Sequence, residues 1–503
     1  MKTQGDTKRP HCVKAEFDPD FSATPLGGVA LAEKTFRSLG LRRVLNKHLP
    51  ERPKGAGFSA CDGALALMTG LLLGGRGIAA AEVLRQDSLA MEILGLAGVA
   101  SSPTMYRILC DLSGLSERVG AEWYEPNGPA LAALDMLGGE RITPATRRIV
   151  PDEAEHGSPQ RLEALSVFLQ AVARVCLNAL PREIVRQHGW SVVFGDGTDL
   201  EVEGNCFDAA RMGRNGKRLI RWLTLMMGPV IVSQRLMEGN KDEGVNMPDL
   251  IEEGRSLVRE TAGKKGRVLA LLDAAYFERR VVETIETAGW DFIICANQQR
   301  NVLERLAQEQ PDFVWQETGP DARRGWIESQ MACFTHMPEG WAKAVTIVAR
   351  RWREEGDLPG VWRWSFLSTR LEPEELPCDL RKKHGYASSI WMLYGTKQGR
   401  ETHYKTPLCD LGLHHPPSCR LGLNQAFYAL AAAASNVAMV LRYRVVDKTE
   451  RGIELWRLRQ RYLQMAGYLV RTGRTLWVEL SGVSVDALRQ TLWQRAFAEA
   501  GRL

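Results

Sequence analysis

Three carboxylates carry the chemistry this chain can perform. Asp196 stands in "SVVFGDGTDLEVEG" (191–204), where an apolar, β-rich run breaks into acids. Asp273 closes the apolar stretch "RVLALLDAAYF". Glu401 lies in "YGTKQGRETHYK", where Tyr394, Lys397, Glu401 and Lys405 are separated by three, four and four residues. That spacing places all four on one face of a helix. A carboxylate flanked by two ammonium groups and a phenol is odd as core, but it suits a metal site that also grips phosphates. Cleaving a phosphodiester needs a water or hydroxyl activated at neutral pH and a stabilised leaving oxygen. Two Mg2+ ions about 4 Å apart supply both, and hard cations need carboxylate oxygens. The first strand also carries Asp199 and Glu201. Asp196 is preferred, and the choice between it and Asp199 stays open.

These acids need a scaffold, and the order of elements describes one. "SVVFGDGT" reads as a strand. "KRLIRWLTLMM" and "PVIVSQRLMEG" read as two more, split at Gly228 like a hairpin. "NMPDLIEEGRSLVRETAGKKG" follows as an amphipathic helix, "RVLALLDAAYF" as a fourth strand, "ERRVVETIETAGW" as a helix and "DFIICANQQ" as a fifth strand. Three strands, then helix, strand, helix, strand, is the order of the ribonuclease-H-like fold. In that fold the first and fourth strands are neighbours in a mixed sheet. The fold class is therefore α/β: a ribonuclease-H-like core with a mixed five-stranded sheet and helices.

The rest of the chain divides around this core. Residues 1–125 read as an all-α N-terminal region. Its helix "SSPTMYRILCDLSG" carries Tyr106 and Arg107. These could belong to a DNA-reading helix-turn-helix or to a plain helical bundle. Residues 126–185 form a Pro- and Gly-rich linker and a connecting helix, and 186–300 the first part of the core. Residues 301–387 alternate in the β manner and hold Trp315, Trp326, Trp341, Trp352, Trp362 and Trp364. They read as a β-rich insertion of their own, long enough to need internal structure. The core resumes over 388–445 with the Glu401 helix, and 446–503 reads as a basic, helical C-terminal region.

Composition narrows the function classes. The 503 residues are 45% hydrophobic and 25% charged, with a net charge of +5. From 381 to 503 there are 19 Lys plus Arg against 8 Asp plus Glu, a basic excess suited to a polyanion. The ten scattered cysteines form no C-x-x-C, and Cys409, His414, His415 and Cys419 fit zinc spacings poorly. The N-terminus lacks the apolar segment of a signal peptide. The apolar run from Leu423 to Leu441 contains Asn424, Gln425, Ser435 and Asn436, so it reads as a buried helix and not a membrane span. No nucleophile–base motif or nucleotide loop points to a metabolic hydrolase.

The stretches "GDGTDLEVEG", "LLDAAYF" and "YGTKQGRETHYK", the last followed by "HHPPSCRLGLNQAFYALAAAASNVAMVL", resemble the DDE transposases of bacterial insertion sequences. The likeness is to the insertion-sequence-four superfamily, and most to its insertion-sequence-thirteen-eighty group. "GGVALAEKTFRSLGLRRVLNKHLP" and "GFSACDGALALMTGLLLGG" extend it over most of the chain. Tyr394, Glu401 and Lys405 match the group's signature, and Lys397 stands where Arg is usual. The resemblance implies Asp196, Asp273 and Glu401 as catalytic triad and metal ligands, with two Mg2+ (Mn2+ able to substitute). It implies double-stranded DNA as partner, both the terminal inverted repeats and the target. Cleavage and strand transfer would follow in a homodimeric synaptic complex on the bacterial nucleoid in the cytoplasm. Tyr394, Lys397, Arg400 and Lys405 would contact DNA. A Trp of the insertion can hold a flipped base, and Trp326, preceded by Arg323, Arg324 and Gly325, is the first choice. The alternatives are a ribonuclease-H-like nuclease without strand transfer and a catalytically inactive DNA-binding regulator.

Overall fold

The computed structural model describes residues 23–115, 157–203, 207–213, 216–309, 314–472, 475–481 and 487–503, with the side chains of 398–402 outside the description. Strand β1 (Trp190–Glu201) pairs antiparallel with β2 (Arg218–Met227), and β2 with β3 (Val230–Glu238). Gly228, at φ 56°, makes the tight β2–β3 turn. Strand β4 (Arg267–Leu272) lies parallel to β1 on its other side, and β5 (Asp291–Cys295) parallel to β4. The spatial order β3-β2-β1-β4-β5 is that of the ribonuclease-H-like sheet. Parallel neighbours require crossovers, and the helices Glu243–Ala262 and Arg279–Thr287 provide them. The central strands are apolar because both faces are covered: β4 is buried from Val268 to Leu272.

The insertion differs from a free-standing β domain. Strands β6 (Trp326–His336), β7 (Val345–Glu354) and β8 (Arg363–Thr369) form an antiparallel meander. Strand β8 pairs with β5 through Leu367↔Cys295, Ser368↔Ile294 and Thr369↔Ile293. The core sheet would otherwise end at β5 with an open edge, and the insertion closes that edge by hydrogen bonding. Insertion and core thus share one sheet of eleven strands among the described residues.

The C-terminal region also departs from the helical expectation. Strands β9 (Gly467–Thr472) and β10 (Thr475–Leu480) form a hairpin, to which Ala23–Thr24 adds a third strand. The period-two alternation of "TLWVEL" is the signal for it, masked in the sequence by the Arg-rich helical segment just before.

The helix Leu421–Val440 is the axis of the helical layer. Every one of its residues except Gln425 is buried. The helices Ala60–Leu72, Ser102–Ser113 and Pro159–Ala179 pack around it, as does β3. By length and composition alone it could cross a membrane, as could Pro159–Ala179. Its buried polar groups are specifically engaged: the Asn436 amide accepts from the Ile231 N–H (2.8 Å) and donates to the Ile231 carbonyl (2.9 Å). This two-pronged bond satisfies backbone groups beside the irregularity in the β2–β3 register. Tyr106 is half-buried and Arg107 exposed on the Ser102–Ser113 helix, whose Met105, Ile108, Leu109 and Leu112 are buried.

Candidate active site

The β1–β4 register brings the two strand acids together. The parallel pairs run from Trp190↔Arg267 to Phe194↔Leu271. Two residues further along both strands stand Asp196 and Asp273, level with each other at the sheet's exit. Residues level in parallel strands share a face. The β1 residues on this face include Phe194, whose ring meets Tyr404 edge-on at 6.0 Å. Asp199 lies on the opposite face, because β1 pairs regularly with β2 from Val193 to Glu201. There Asp199 accepts from Arg221 Nε at 2.8 Å. The alternation of the strand therefore separates the two candidates, and only Asp196 shares a face with Asp273.

The helix Cys378–Lys405, broken at Gly385 (φ 73°), spans insertion and core. Tyr394 Oη donates to Asp273 Oδ1 at 3.1 Å, and Lys397 Nζ donates to Asp273 Oδ2 at 2.7 Å. Lys397 is 3% exposed, so this is an ammonium held inside the protein. About two turns beyond, Tyr404 is buried and shares a 2.6 Å hydrogen bond with Thr224 on β2. Position 401 falls four residues after Lys397 and three before Tyr404, within the same helix. The side chains of Glu401 and Arg400 lie outside the described residues. Lys405 is exposed and ion-paired with Glu454, not with the acids. Trp326 stacks on Trp352 at 5.0 Å, with Arg324 and Arg350 over its ring. The site thus gathers Asp196, Asp273, Tyr394 and Lys397, while Lys405 and Trp326 have partners elsewhere.

Behind the sheet lies a support the sequence did not reveal. Glu243 opens the Glu243–Ala262 helix, accepts from Tyr276 Oη at 2.6 Å and pairs with Arg221 at 3.3 Å. A Cβ at Gly197 would meet the Glu243 carboxyl group, 2.4 Å from its carbon, so any side chain there displaces that carboxyl group. Glu243 carries no spacing signal in the sequence. Tyr404 does, seven residues after Lys397 on one helical face. Gly197→Ala is expected to fold yet lose cleavage about 10²-fold, because its Cβ, on the residue next to Asp196, presses against the pinned Glu243 carboxyl group and shifts that stretch of strand. A normal melting midpoint with slowed cleavage is the expected pair of readings; wild-type cleavage would remove the Gly197–Glu243 contact from the site.

Charge is in excess on the acidic side. Burial pushes the Asp196 carboxyl up to about 7, the carboxylates of Asp273 and Glu243 add to this, and Lys397 and the Gly197 N–H oppose it. A half-buried acid that resists ionisation beside further carboxylates is a set of hard oxygen donors short of positive charge. Asp196 and Asp273 therefore fit a divalent cation, and the Lys397 ammonium stands on Asp273 where such a cation would compete.

A family model described as "Transposase DDE domain group 1" matches residues 230–498, more than half of the chain. The matched range includes Asp273 and Glu401 and begins after Asp196, which the β1–β4 register supplies. Among solved structures, a piggyBac transposase synaptic complex with hairpin DNA is similar at 12% identity, covering 87% of this chain and 78% of that chain, with a TM-score of 0.41. No curated protein matches.

Proposed function

The chain belongs to the DDE transposases of group 1, and from that membership we propose that it cleaves the ends of its own mobile element and joins them to target DNA. The observation that carries this reading is Asp196 level with Asp273 on one face of the sheet, beside the helix that bears Glu401. These three residues would hold the divalent ions that the family uses, with Mg2+ as the expected ion and Mn2+ as its substitute. Bound there, such ions would supply Lewis-acid activation of the attacking water or hydroxyl and stabilisation of the leaving oxygen.

The protein's own groups do the rest. Asp196 and Asp273 sit at the ends of packed parallel strands, which fixes them rigidly. Tyr394 orients the Asp273 carboxylate through its hydroxyl. Lys397 balances charge at Asp273 in the metal-free protein, and once released it offers an ammonium to a phosphate oxygen. The basic C-terminal segment from 381 to 503 favours the DNA polyanion. The sequence motifs support placement near the insertion-sequence-thirteen-eighty group, recognition of terminal inverted repeats and cut-and-paste transfer by a dimer.

The test is strand cleavage and joining on a linear substrate bearing the repeats that flank the gene. Wild-type protein with Mg2+ should give cleaved and joined products, and Glu401→Gln should give neither while remaining folded. Cleavage without joined products would make the protein a nuclease only. Full cleavage by Glu401→Gln would remove Glu401 from the triad.

A further inference from the structure

Among the described residues, Arg350 is a buried cation without a carboxylate partner. It lies on β7 and is 8% exposed. Its guanidinium carbon stands 3.9 Å from the centre of the Trp391 ring and 5.4 Å from that of Trp326. Among the described residues it has no carboxylate or hydrogen-bond partner, and its Nε is buried and unsatisfied. The Trp391 indole N–H is likewise buried without an acceptor. Arg324 stands over the same Trp326 ring at 4.8 Å, with Asp321 3.5 Å away as its own partner.

A stack of this kind is a poor structural solution for the protein alone. A guanidinium out of water needs an anion as well as aromatic faces, and an apolar side chain of similar volume would fill the space at lower cost. Burial, reinforced by the like charge of Arg324, pushes Arg350 down to about 9, against the pull of Asp321. Two arginines sharing one indole repel each other until something negative arrives. The forked donors of arginine match the several acceptor oxygens of a phosphate.

We propose that Arg350, with Arg324 and the Trp391 indole N–H, receives a backbone phosphate of the bound DNA other than the one being cleaved. The inference rests on the transposase reading and adds to it a named contact in the insertion. Trp391 precedes Lys397 by six residues, about 9 Å along the helix axis, so the phosphate held here is not the one at Asp273. The two places are mechanically connected. The Trp391 ring meets Tyr394 edge-on at 6.4 Å, and Tyr394 donates to Asp273. Filling the Arg350 stack therefore bears on the orientation of a metal-binding carboxylate. Trp326 then serves to hold the two arginines, with Trp352 behind it.

The experiment uses the full chain in EDTA, so that no strand is cut. Binding of a fluorescein-labelled duplex of arbitrary sequence is followed by anisotropy across a salt series, for wild type and Arg350→Met. The logarithm of affinity against the logarithm of salt should lose about 0.9 of its slope in the variant, the signature of one phosphate contact. The melting midpoint should stay level or rise, because an uncompensated charge has gone. Inorganic phosphate should raise the midpoint of the wild type and not that of the variant. An unchanged slope overturns the inference and makes Arg350 a packing residue. So does an Arg350→Met chain that fails to fold, since the charge would then be supporting the core. A wild-type chain that binds no DNA would instead overturn the transposase reading itself, a result distinct from either.

Discussion

Asp196→Asn should abolish strand cleavage and at the same time make the metal-free protein more stable. The two effects have one origin. The folded state holds the Asp196 carboxyl near 7, against an ordinary value of 3.8. Between those values the folded protein binds a proton that the unfolded chain has released. Stability therefore falls as pH rises through that window, and the whole penalty is present above about pH 7. A shift of about three units corresponds to at most about 4 kcal/mol, and partial solvent access reduces it. Asparagine removes the ionisation, so at about pH 8 in EDTA the variant should gain about 1–3 kcal/mol. Divalent metal should raise the wild-type midpoint and leave that of the variant nearly unmoved. Cleavage should fall by about 10³-fold or more, as expected when a group that acts as part of a set is lost. A wild-type midpoint that is flat between about pH 4 and pH 8 in EDTA would contradict the charge account. Retained cleavage would contradict the assignment of Asp196.

Lys397→Met should show the opposite dependence on metal. Lys397 is the cation that neutralises Asp273 and moderates Asp196 while no metal is bound. Without it the acids face one another uncompensated. Breaking a fully buried pair costs about 3–5 kcal/mol, and because Asp273 is half exposed we expect about 2 kcal/mol here. Added Mg2+ or Mn2+ should restore most of that stability, since the ion supplies the missing charge. Cleavage should remain about 10²-fold reduced even when metal saturates, because the phosphate loses an ammonium. Thermal melts with and without metal give the first reading, and a cleavage time course gives the second. Equal destabilisation in both melts would reduce Lys397 to a packing residue.

The sheet was legible in the sequence because its strands are apolar, short and bounded by turn residues, and because Gly228 marks the hairpin. The register was not legible, and it is the register that separates Asp196 from Asp199. Which face an acid takes depends on an unbroken β1–β2 pairing, a property of two strands and not of one. Glu243 was hidden for a similar reason: its role comes from Gly197 and Tyr276, 46 and 33 residues away. Tyr394 and Lys397 were found by helical spacing, but their partner was not. They were assigned to phosphates, and they lie on Asp273. Trp326 was the first choice to hold a flipped base. Its partners in the structure are Arg324, Arg350 and Trp352, because β6 and β7 place Trp326 and Trp352 close together across the ladder.

The burial of Leu421–Val440 has a consequence for synthesis. A ribosome releases residues 23–115 long before residue 421 exists. Until then the Ala60–Leu72 and Ser102–Ser113 helices lack the surface they pack against. The same holds for Asn436, which satisfies a strand made about 200 residues earlier. The nascent chain thus carries exposed apolar helices through most of translation, and its fold closes late and all at once. Truncations ending before residue 421 should accordingly aggregate or require a chaperone instead of yielding a soluble N-terminal fragment.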